Sequence, residues 1–204
     1  MGGGIRELVL ELYRCGCVLF GEFRLTSGLI SPYYIDLRVV PSHPQLFRRV
    51  VRAYVDVVRG LKPDVIAGIA TAGLPIASVV AYELNTPLIY VRKEVREHGT
   101  GRVVEGVVRE GEHAVIIDDV ATTGGSIARA AEELRRVGLV VKYAVVLIDR
   151  EQGAREGLAR LGIELKSVMR VTELINTLLK EGLINEEVRS KVINYLRRFG
   201  SHGV

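Results

Sequence analysis

The chain has 204 residues, a length that suits one domain with a full hydrophobic core and small additions. Hydrophobic residues make up 48% of it, yet no apolar run approaches the ~18 residues of a membrane span, and the N-terminus lacks the pattern of a secretory signal. A net charge of +4 is compatible with an anionic ligand and also with weak nucleic-acid binding, so the charge alone does not distinguish the two. We expect a soluble, cytoplasmic protein. Cys15 and Cys17 are too close for an ordinary disulfide framework and are expected to be free thiols buried at a helix end.

Apolar periodicity predicts helices and strands along most of the chain. Residues 5–16 are typical of an amphipathic helix, and residues 18–38 of short strands separated by Gly, Ser and Pro turns. From residue 44 onward, strand-like runs alternate with helix-like stretches. The predicted helices are 44–60, 73–84, 125–137 and 152–160, followed by two closing helices at 172–180 and 186–199. The predicted strands are 65–69, 88–91, 114–117, 140–148 and 163–168.

This alternation predicts an α/β fold, with a parallel sheet flanked by helices on both faces. We expect a single domain over residues 1–204, with an α/β core at about 44–170. A small cap is expected from about residues 1–40. The closing helices are expected to join that cap or to form a subunit contact.

The segment 115–126 joins a buried strand to a helix through a turn rich in Asp, Thr and Gly. The strand end places Asp118 and Asp119 at the rim of the sheet, where open α/β folds bind ligands. Gly124 and Gly125 let backbone N–H groups approach an anion, and the positive end of the following helix points at that anion. Because carboxylates repel a phosphate, they should hold hydrogen-bond donors attached to it, such as sugar hydroxyls. The segment therefore predicts a ribose-5-phosphate site.

Other nucleotide motifs do not fit this segment. A Walker A loop would need Lys-Ser/Thr after its last glycine, but Gly68-x4-Gly73 is followed by Leu74-Pro75, and the Rossmann spacing is absent. A plain strand–turn–helix without a ligand is the alternative, since turns favour Asp, Thr and Gly. The segment resembles the ribose-phosphate motif of type I phosphoribosyltransferases.

A charged loop, residues 92–102, follows the strand at 88–91 and contains two glycines. An isolated charged run is usually a solvated face, but here cations exceed anions and His98 lies among them. A mobile cationic loop can close over a polyphosphate, exclude water and neutralise a departing pyrophosphate. His98 can donate a hydrogen bond or a proton to that group.

Two further strand ends carry weaker signals. The small-residue turn 68–75 offers N–H groups to a second anion, here pyrophosphate, although such turns are common without a ligand. Arg150 follows the strand 140–148 and is expected on the same rim as Asp118 and Asp119, where a guanidinium can hold a planar acidic substrate. A surface ion pair is the alternative for Arg150.

The N-terminal block 20–38 narrows the resemblance. Together with the loop 92–102 and the segment 149–153, it closely resembles the orotate phosphoribosyltransferases, with the motifs in the family's order from about residue 12 to residue 170. The resemblance implies a type I phosphoribosyltransferase fold with a small N-terminal cap. It also implies transfer of ribose-5-phosphate from phosphoribosyl pyrophosphate to orotate, giving orotidine 5-phosphate and pyrophosphate in pyrimidine biosynthesis.

The resemblance further implies a role for each matching position. Asp118 and Asp119 would hold the ribose hydroxyls, and residues 122–126 would cradle the 5-phosphate. Thr122 and Arg150 would contact orotate. The positions implied to bind phosphoribosyl pyrophosphate are Arg92, Lys93, Arg96, His98, Asp118, Asp119, Val120, Ala121, Thr122, Thr123, Gly124, Gly125 and Ser126. The positions implied to act in catalysis are Lys93, Arg96, His98 and Asp119.

Mg²⁺ is the cofactor that the resemblance implies, held mainly by substrate and water oxygens and not by protein side chains alone. Part of the loop 92–102 is implied to reach the neighbouring subunit's site, which implies a homodimer with shared active sites. Neither nucleic acid nor a membrane is an expected partner.

Three positions depart from the family pattern. The lysine of the Leu-Lys-Ser-Gly turn is Thr26, a loop lysine is Arg96, and the aromatic-lysine pair of the pyrophosphate turn is Thr71-Ala72. We expect these changes to affect the rate and the pyrophosphate affinity more than the reaction, and Arg96 to carry a larger share of leaving-group stabilisation.

Two other functions stay open at this point. Transfer to a purine base shares the 115–126 motif and is disfavoured by Arg150 and the block 20–38. A ribose-phosphate sensor that binds nucleic acid fits the positive net charge, but residues 1–45 contain no helix-turn-helix pattern.

Overall fold

The computed structural model describes residues 2–24, 28–93 and 103–198. The helices are α1 Gly2–Arg14, α2 Pro44–Arg59, α3 Gly73–Leu84, α4 Gly125–Arg136, α5 Ala154–Ala159, α6 Val171–Lys180 and α7 Glu186–Arg197, with a 3-10 turn at Val40–Ser42. The strands are β1 Val18–Arg24, β2 Ile30–Ile35, β3 Val65–Ile69, β4 Leu88–Val91, β5 Val104–Glu105, β6 His113–Ile117, β7 Val120–Ala121, β8 Val140–Asp149 and β9 Glu164–Arg170. Each predicted helix and strand is confirmed, with ends that differ by three residues at most.

The main sheet of the described residues has the order β5-β4-β3-β6-β8-β7, and β9 pairs with residues 143–149 of β8 on the edge opposite β6 and β7. The pairs β3–β4, β3–β6, β6–β8 and β8–β9 are parallel, as the alternation of strands and helices predicted. The sheet is thus mostly parallel, and at one edge the short strand β5 runs antiparallel to β4. β5 and β7 were not predicted, since two residues carry no periodicity.

Helices cover both faces of this sheet. Neighbouring residues of one strand enter different hydrophobic clusters: Ile66 packs with α2 and α3, whereas Ala67 packs with α4 and α5. Successive side chains of a strand point to opposite faces, so two apolar layers form around one sheet. The same alternation in Val115 and Ile116 explains why β6 is a continuous apolar run.

The strands β1 and β2 form a separate antiparallel hairpin. Helix α7 packs on β2, and α1 packs against α2 and α6. The ring of Tyr33 in β2 meets the ring of Tyr195 in α7 edge to face, with centroids 6.1 Å apart. The N-terminal hairpin and the C-terminal helices are therefore in direct contact.

Both cysteines are free thiols, as predicted. Cys17 is fully buried, and burial raises the pKa of its thiol to about 12. Cys15 is half-buried, so the expectation of two buried thiols holds for Cys17 alone. No helix in the described ranges is both long enough and apolar enough to cross a membrane.

Candidate active site at the carboxyl ends of the strands

The predicted site residues that the structure describes gather at the carboxyl edge of the sheet, meaning the edge where β3, β4, β6 and β8 end. Asp118 follows β6, and its backbone N–H donates to the carbonyl of Val145 in β8 at 3.1 Å. Arg150 follows β8, and its N–H donates to the carbonyl of Ala121 at 2.9 Å. Parallel strands bring their carboxyl ends together, which places Asp118 and Arg150 on one edge although 32 residues separate them in the chain.

The backbone of the two aspartates is held from two sides. The fully buried hydroxyl of Tyr54 in α2 donates to the carbonyl of Asp118 at 2.7 Å. The N–H of Leu147 in β8 donates to the carbonyl of Asp119 at 3.0 Å. The carboxylates are therefore presented from a rigid segment, which is what binding of a ligand with fixed geometry requires.

The charge of this pair is poorly compensated. Asp118 is 7% exposed, and burial together with the neighbouring Asp119 raises its pKa to about 7. Burial also raises the pKa of Asp119, partly offset by the hydrogen bond from the N–H of Val120 and, less, by the positive charge of Arg38. None of the ion pairs within the described ranges involves either carboxylate. A ligand that brings hydroxyl donors or a cation would satisfy them.

The turn after the aspartates opens towards solvent and leads into α4. Gly124 has φ +80°, a conformation that favours glycine, and an added Cβ would approach the side chain of Leu158 at 3.1 Å. No side chain caps the start of α4, so its first N–H groups lack a partner within the helix. Thr122 is half-buried and Thr123 is exposed. This turn supplies backbone donors for an anion.

Ser126, in the first turn of α4, has a side-chain contact that the sequence did not predict. Its hydroxyl donates to Oδ2 of Asp118 at 3.0 Å. This bond favours the charged form of Asp118, because it lowers the pKa that burial raises. The hydroxyl of Ser126 is thus bonded to the carboxylate of Asp118, while its backbone lies in the turn 122–126 that offers N–H donors.

The turn at 68–75 comes close to the same carboxylates. At Gly73, the first residue of α3, an added Cβ would lie 2.7 Å from the carbonyl oxygen of Ile117 and 2.9 Å from the Cα of Asp118. The peptide bond Ala70–Thr71 is cis, and the start of α3 has no side-chain cap. A second set of backbone donors therefore lies next to the aspartates, as a pyrophosphate turn would require.

The cationic loop is described in part. Arg92 is half-buried, and its guanidinium pairs with Glu105 at 3.4 Å, while Lys93 is exposed. Arg96 and His98 lie outside the described residues, as does Thr26. Their predicted roles stay predictions.

Arg150 is a buried cation without a carboxylate partner in the described part of the chain. It is 8% exposed, and its Nε donates to the hydroxyl oxygen of Tyr33 at 3.2 Å. The guanidinium carbon lies 4.8 Å from the centroid of the Tyr33 ring. Nη2 is buried and has no hydrogen-bond partner among the described residues. The surface ion pair considered as an alternative does not form here, and the arrangement suits an acidic ligand.

Sequence reasoning did not identify Tyr33, Gln152 or Tyr54 as members of this site. Gly73 lies in the predicted turn 68–75, but its close approach to β6 was not predicted. Tyr33 lies inside the block 20–38, but nothing local indicates which of its aromatic residues meets Arg150. Tyr54 has the pattern of an ordinary core residue of an amphipathic helix. The glycine at the start of α3 was the one signal that could have indicated a close backbone approach.

The residues present fit a hard divalent cation that is held mainly by its ligand. No cluster of three or more His, Cys, Asp or Glu side chains in the described ranges could enclose a metal ion. The buried Asp118 and the half-buried Asp119 nevertheless supply carboxylate oxygen atoms that form no ion pair within the described ranges. Mg²⁺ prefers oxygen ligands and keeps water and phosphate around it.

A cavity of about 570 Å³ lies elsewhere, between the β1–β2 hairpin and α7, and includes Phe20, Ile30 and Lys191 in its lining. None of its lining residues is a predicted site residue. We assign the site to the carboxyl edge because the uncompensated charges lie there.

Comparison with known proteins agrees with this geometry. Residues 40–160 match the family model of the phosphoribosyl transferase domain. The orotate phosphoribosyltransferase of Sulfolobus acidocaldarius is 47% identical over 179 residues, which covers 88% of this chain and 90% of that protein.

Solved structures give the same result. The crystal structure of orotate phosphoribosyltransferase from Aeropyrum pernix matches with a TM-score of 0.78 and 40% identity, over 87% of this chain and 99% of that one. The Leishmania donovani UMP synthase matches with a TM-score of 0.87 and 40% identity, over 96% of this chain and 43% of that longer one. The chain therefore belongs to the phosphoribosyltransferase family and, within it, to the orotate phosphoribosyltransferases.

Proposed function

We propose that this protein transfers the ribose-5-phosphate of phosphoribosyl pyrophosphate to N1 of orotate, giving orotidine 5-phosphate and pyrophosphate in pyrimidine biosynthesis. The observation that carries the proposal is the buried guanidinium of Arg150, which has no carboxylate partner among the described residues and shares an edge with the aspartate pair. A buried cation needs a compensating anion, and orotate brings a carboxylate.

The phosphoribosyl group is proposed to lie along the turn 118–126. Asp118 and Asp119 would accept hydrogen bonds from the ribose 2- and 3-hydroxyls, which replaces the water that burial has removed from them. The uncapped N–H groups at the start of α4 would hold the 5-phosphate. Thr122 would contact orotate, and the turn 68–75 at the start of α3 would face the pyrophosphate.

Catalysis is proposed to rest on positioning and on charge stabilisation at the leaving group. Orotate is already anionic, so no strong general base is needed, and the anomeric carbon passes through an oxocarbenium-like state. Arg92, Lys93, Arg96 and His98 would neutralise the departing pyrophosphate. With Thr26 and Ala72 at positions where relatives carry lysine, Arg96 would carry more of that task.

Mg²⁺ is proposed as the cofactor, near Asp118 and Asp119 and bound chiefly through substrate oxygens. When bound, it would supply charge neutralisation of the pyrophosphate. The aspartates themselves hold and orient the ribose hydroxyls.

Transfer to a purine base is disfavoured by the same arginine. A neutral purine would leave the guanidinium of Arg150 buried and uncompensated, at a cost that a carboxylate substrate avoids. A role as a nucleic-acid sensor has no supporting observation at this edge.

We also propose a single domain over residues 1–204, with a cap made by about residues 1–40 and the C-terminal helices over an α/β core at about 44–170. The contacts of α7 with β2 and of α1 with α6 support this division. The two free thiols support the cytoplasm as the place of action, because reducing compartments keep thiols unpaired.

The decisive test is the loss of orotate absorbance with phosphoribosyl pyrophosphate, with Mg²⁺ or with EDTA, at moderate and high temperature. We expect Mg²⁺-dependent loss of orotate with equimolar release of pyrophosphate. A flat trace at every temperature, with phosphoribosyl pyrophosphate still bound, would contradict the proposal.

A homodimer with shared active sites is proposed from the resemblance in the loop 92–102. An Arg96→Ala variant and an Asp119→Asn variant, each of low activity, would be mixed and allowed to exchange subunits. Hybrid dimers would contain one intact site each, so we expect recovery of roughly a quarter of the native activity in an equal mixture. Strict additivity of the two low activities, despite exchange, would contradict sharing.

A further inference from the structure

We propose that Tyr33, assisted by Gln152, is a positioning residue for Arg150 and thereby sets the preference for an acidic pyrimidine over a neutral one. The proposal deepens the function proposed above and rests on it. Tyr33 is assigned no role in the reaction by the family resemblance. Its role here follows from its contacts with the guanidinium.

The hydroxyl oxygen of Tyr33 fixes one edge of the guanidinium. Nε of Arg150 donates to it at 3.2 Å, and Nε2 of Gln152 donates to the same oxygen at 3.4 Å. The guanidinium carbon of Arg150 also lies over the ring of Tyr33, 4.8 Å from the ring centroid. One side chain therefore restrains both the edge and the face of Arg150.

These contacts leave Nη2 as the buried donor without a protein partner in the described residues. A buried donor without a partner destabilises the protein. A ligand acceptor that bonds to Nη2 removes this cost and therefore contributes more binding free energy than a solvent-exposed hydrogen bond would. A carboxylate offers that acceptor together with the opposite charge. The orientation that Tyr33 imposes thus decides which part of Arg150 is available to the substrate.

Tyr33 itself has little freedom to move. It is fully buried, and the hydroxyl of Ser31 donates to its carbonyl oxygen at 2.7 Å. The ring of Tyr195 from α7 packs against its ring edge to face. The β1–β2 hairpin and α7 therefore restrain Tyr33 together. Its hydrogen bond with Arg150, 117 residues away in the sequence, restrains the guanidinium in turn.

The test compares Tyr33→Phe with Tyr13→Phe. Phenylalanine keeps the ring beside Arg150 and against Tyr195 but removes the hydroxyl acceptor. Tyr13→Phe is the matched control, because its hydroxyl donates to the carbonyl of Leu183 at 3.3 Å and is bonded to no residue of the carboxyl edge. Gln152→Met is the second variant, and it removes one donor to Tyr33 without touching the ring.

We expect Tyr33→Phe to raise the KM for orotate by about tenfold, with kcat and the KM for phosphoribosyl pyrophosphate within about twofold of the native values. The preference for orotate over uracil, which lacks the carboxylate, should fall by a similar factor. Gln152→Met should also raise the KM for orotate and lower the preference for orotate over uracil, by a smaller factor. If Tyr33→Phe does not fold, Gln152→Met provides the test.

The proposal is overturned if the KM for orotate stays within twofold of the native value in both variants. It is also overturned if kcat and both KM values worsen together, which is the signature of general structural damage. Calorimetric measurement of orotate binding distinguishes failure of the positioning role from failure of the proposed function. A native protein that binds orotate without turnover contradicts the reaction, and weaker binding by Tyr33→Phe still supports the positioning role. A native protein that does not bind orotate overturns both.

Discussion

The hydroxyl of Ser126 donates to the Oδ2 atom of Asp118 at 3.0 Å, and this bond ties the first turn of α4 to the end of β6. The strand that carries the carboxylate and the helix that offers backbone donors to an anion are thereby held in one arrangement. A ligand that carries both hydroxyls and a phosphate meets the two groups at a fixed separation. Such fixed geometry supports catalysis by positioning.

The first prediction concerns the burial of Asp118. Its pKa is raised from 3.8 to about 7, so the folded protein keeps a proton that the unfolded chain releases. Between these pH values the folded state binds more protons, and the free energy of unfolding of the ligand-free protein should therefore fall as pH rises. Asp118→Asn should remove most of that fall, on the order of 4 kcal/mol between pH 4 and pH 8.

Urea unfolding at several pH values measures this effect. The control is Asp56→Asn, which changes an exposed carboxyl on α2 and should keep the native pH dependence. Equal pH dependence in the native protein and in Asp118→Asn would show that burial of Asp118 does not set the trend.

The second prediction concerns the hydroxyl of Tyr54. Tyr54→Phe leaves the buried carbonyl of Asp118 without its 2.7 Å donor, and the cost should be about 1–3 kcal/mol of unfolding free energy. The KM for phosphoribosyl pyrophosphate should rise as well, because the carboxylate backbone loses a restraint. Urea unfolding and steady-state kinetics provide the measurements.

Tyr82→Phe is the control for this change, because Tyr82 is 83% exposed and its hydroxyl can be hydrated in either state. We expect it to change stability by less than about 0.5 kcal/mol. A loss of similar size in both variants would assign the effect to something other than the Asp118 contact.

The third prediction concerns the close approach of α3 to β6. Gly73→Ala would place a Cβ 2.7 Å from a backbone oxygen, and backbone cannot move away as a flexible side chain can. We expect a loss of about 1–3 kcal/mol of stability and weaker binding of phosphoribosyl pyrophosphate. Thermal unfolding with and without that ligand measures both.

Gly60→Ala serves as the comparison, since an added Cβ there would lie 3.6 Å from the carbonyl oxygen of Val57, at the end of α2. Alanine there should be neutral or slightly stabilising. Gly73→Ala with native stability and native ligand response would contradict the close approach.

The fourth prediction concerns Arg96. Removal of one contact to a developing charge commonly costs ~3–4 kcal/mol in the barrier. We expect Arg96→Ala to lower kcat on the order of a hundredfold. Arg136→Ala, at an exposed ion pair with Glu132 on α4, should leave kcat unchanged. A loss below about threefold would remove Arg96 from the mechanism.

Sequence patterns predicted β3 and β4 with their observed bounds, because both are apolar runs bounded by turns. The two-residue strands β5 and β7 were missed, since their formation depends on a neighbouring strand and not on their own residues. The antiparallel pairing of β5 with β4 depends on the path of the chain around residue 103, which the spacing of apolar residues does not predict.

The sequence by itself determined the order of helices and strands, the aspartate pair at a strand end and the glycine turn before a helix. These features depend on neighbours within a few residues, where backbone geometry and side-chain spacing act directly. The tertiary structure alone decided that Tyr33 meets Arg150, that Tyr54 supports Asp118 and that the hydroxyl of Ser126 serves a carboxylate. Such contacts join residues far apart in the chain or on different elements, and they follow from how the packed layers fit together.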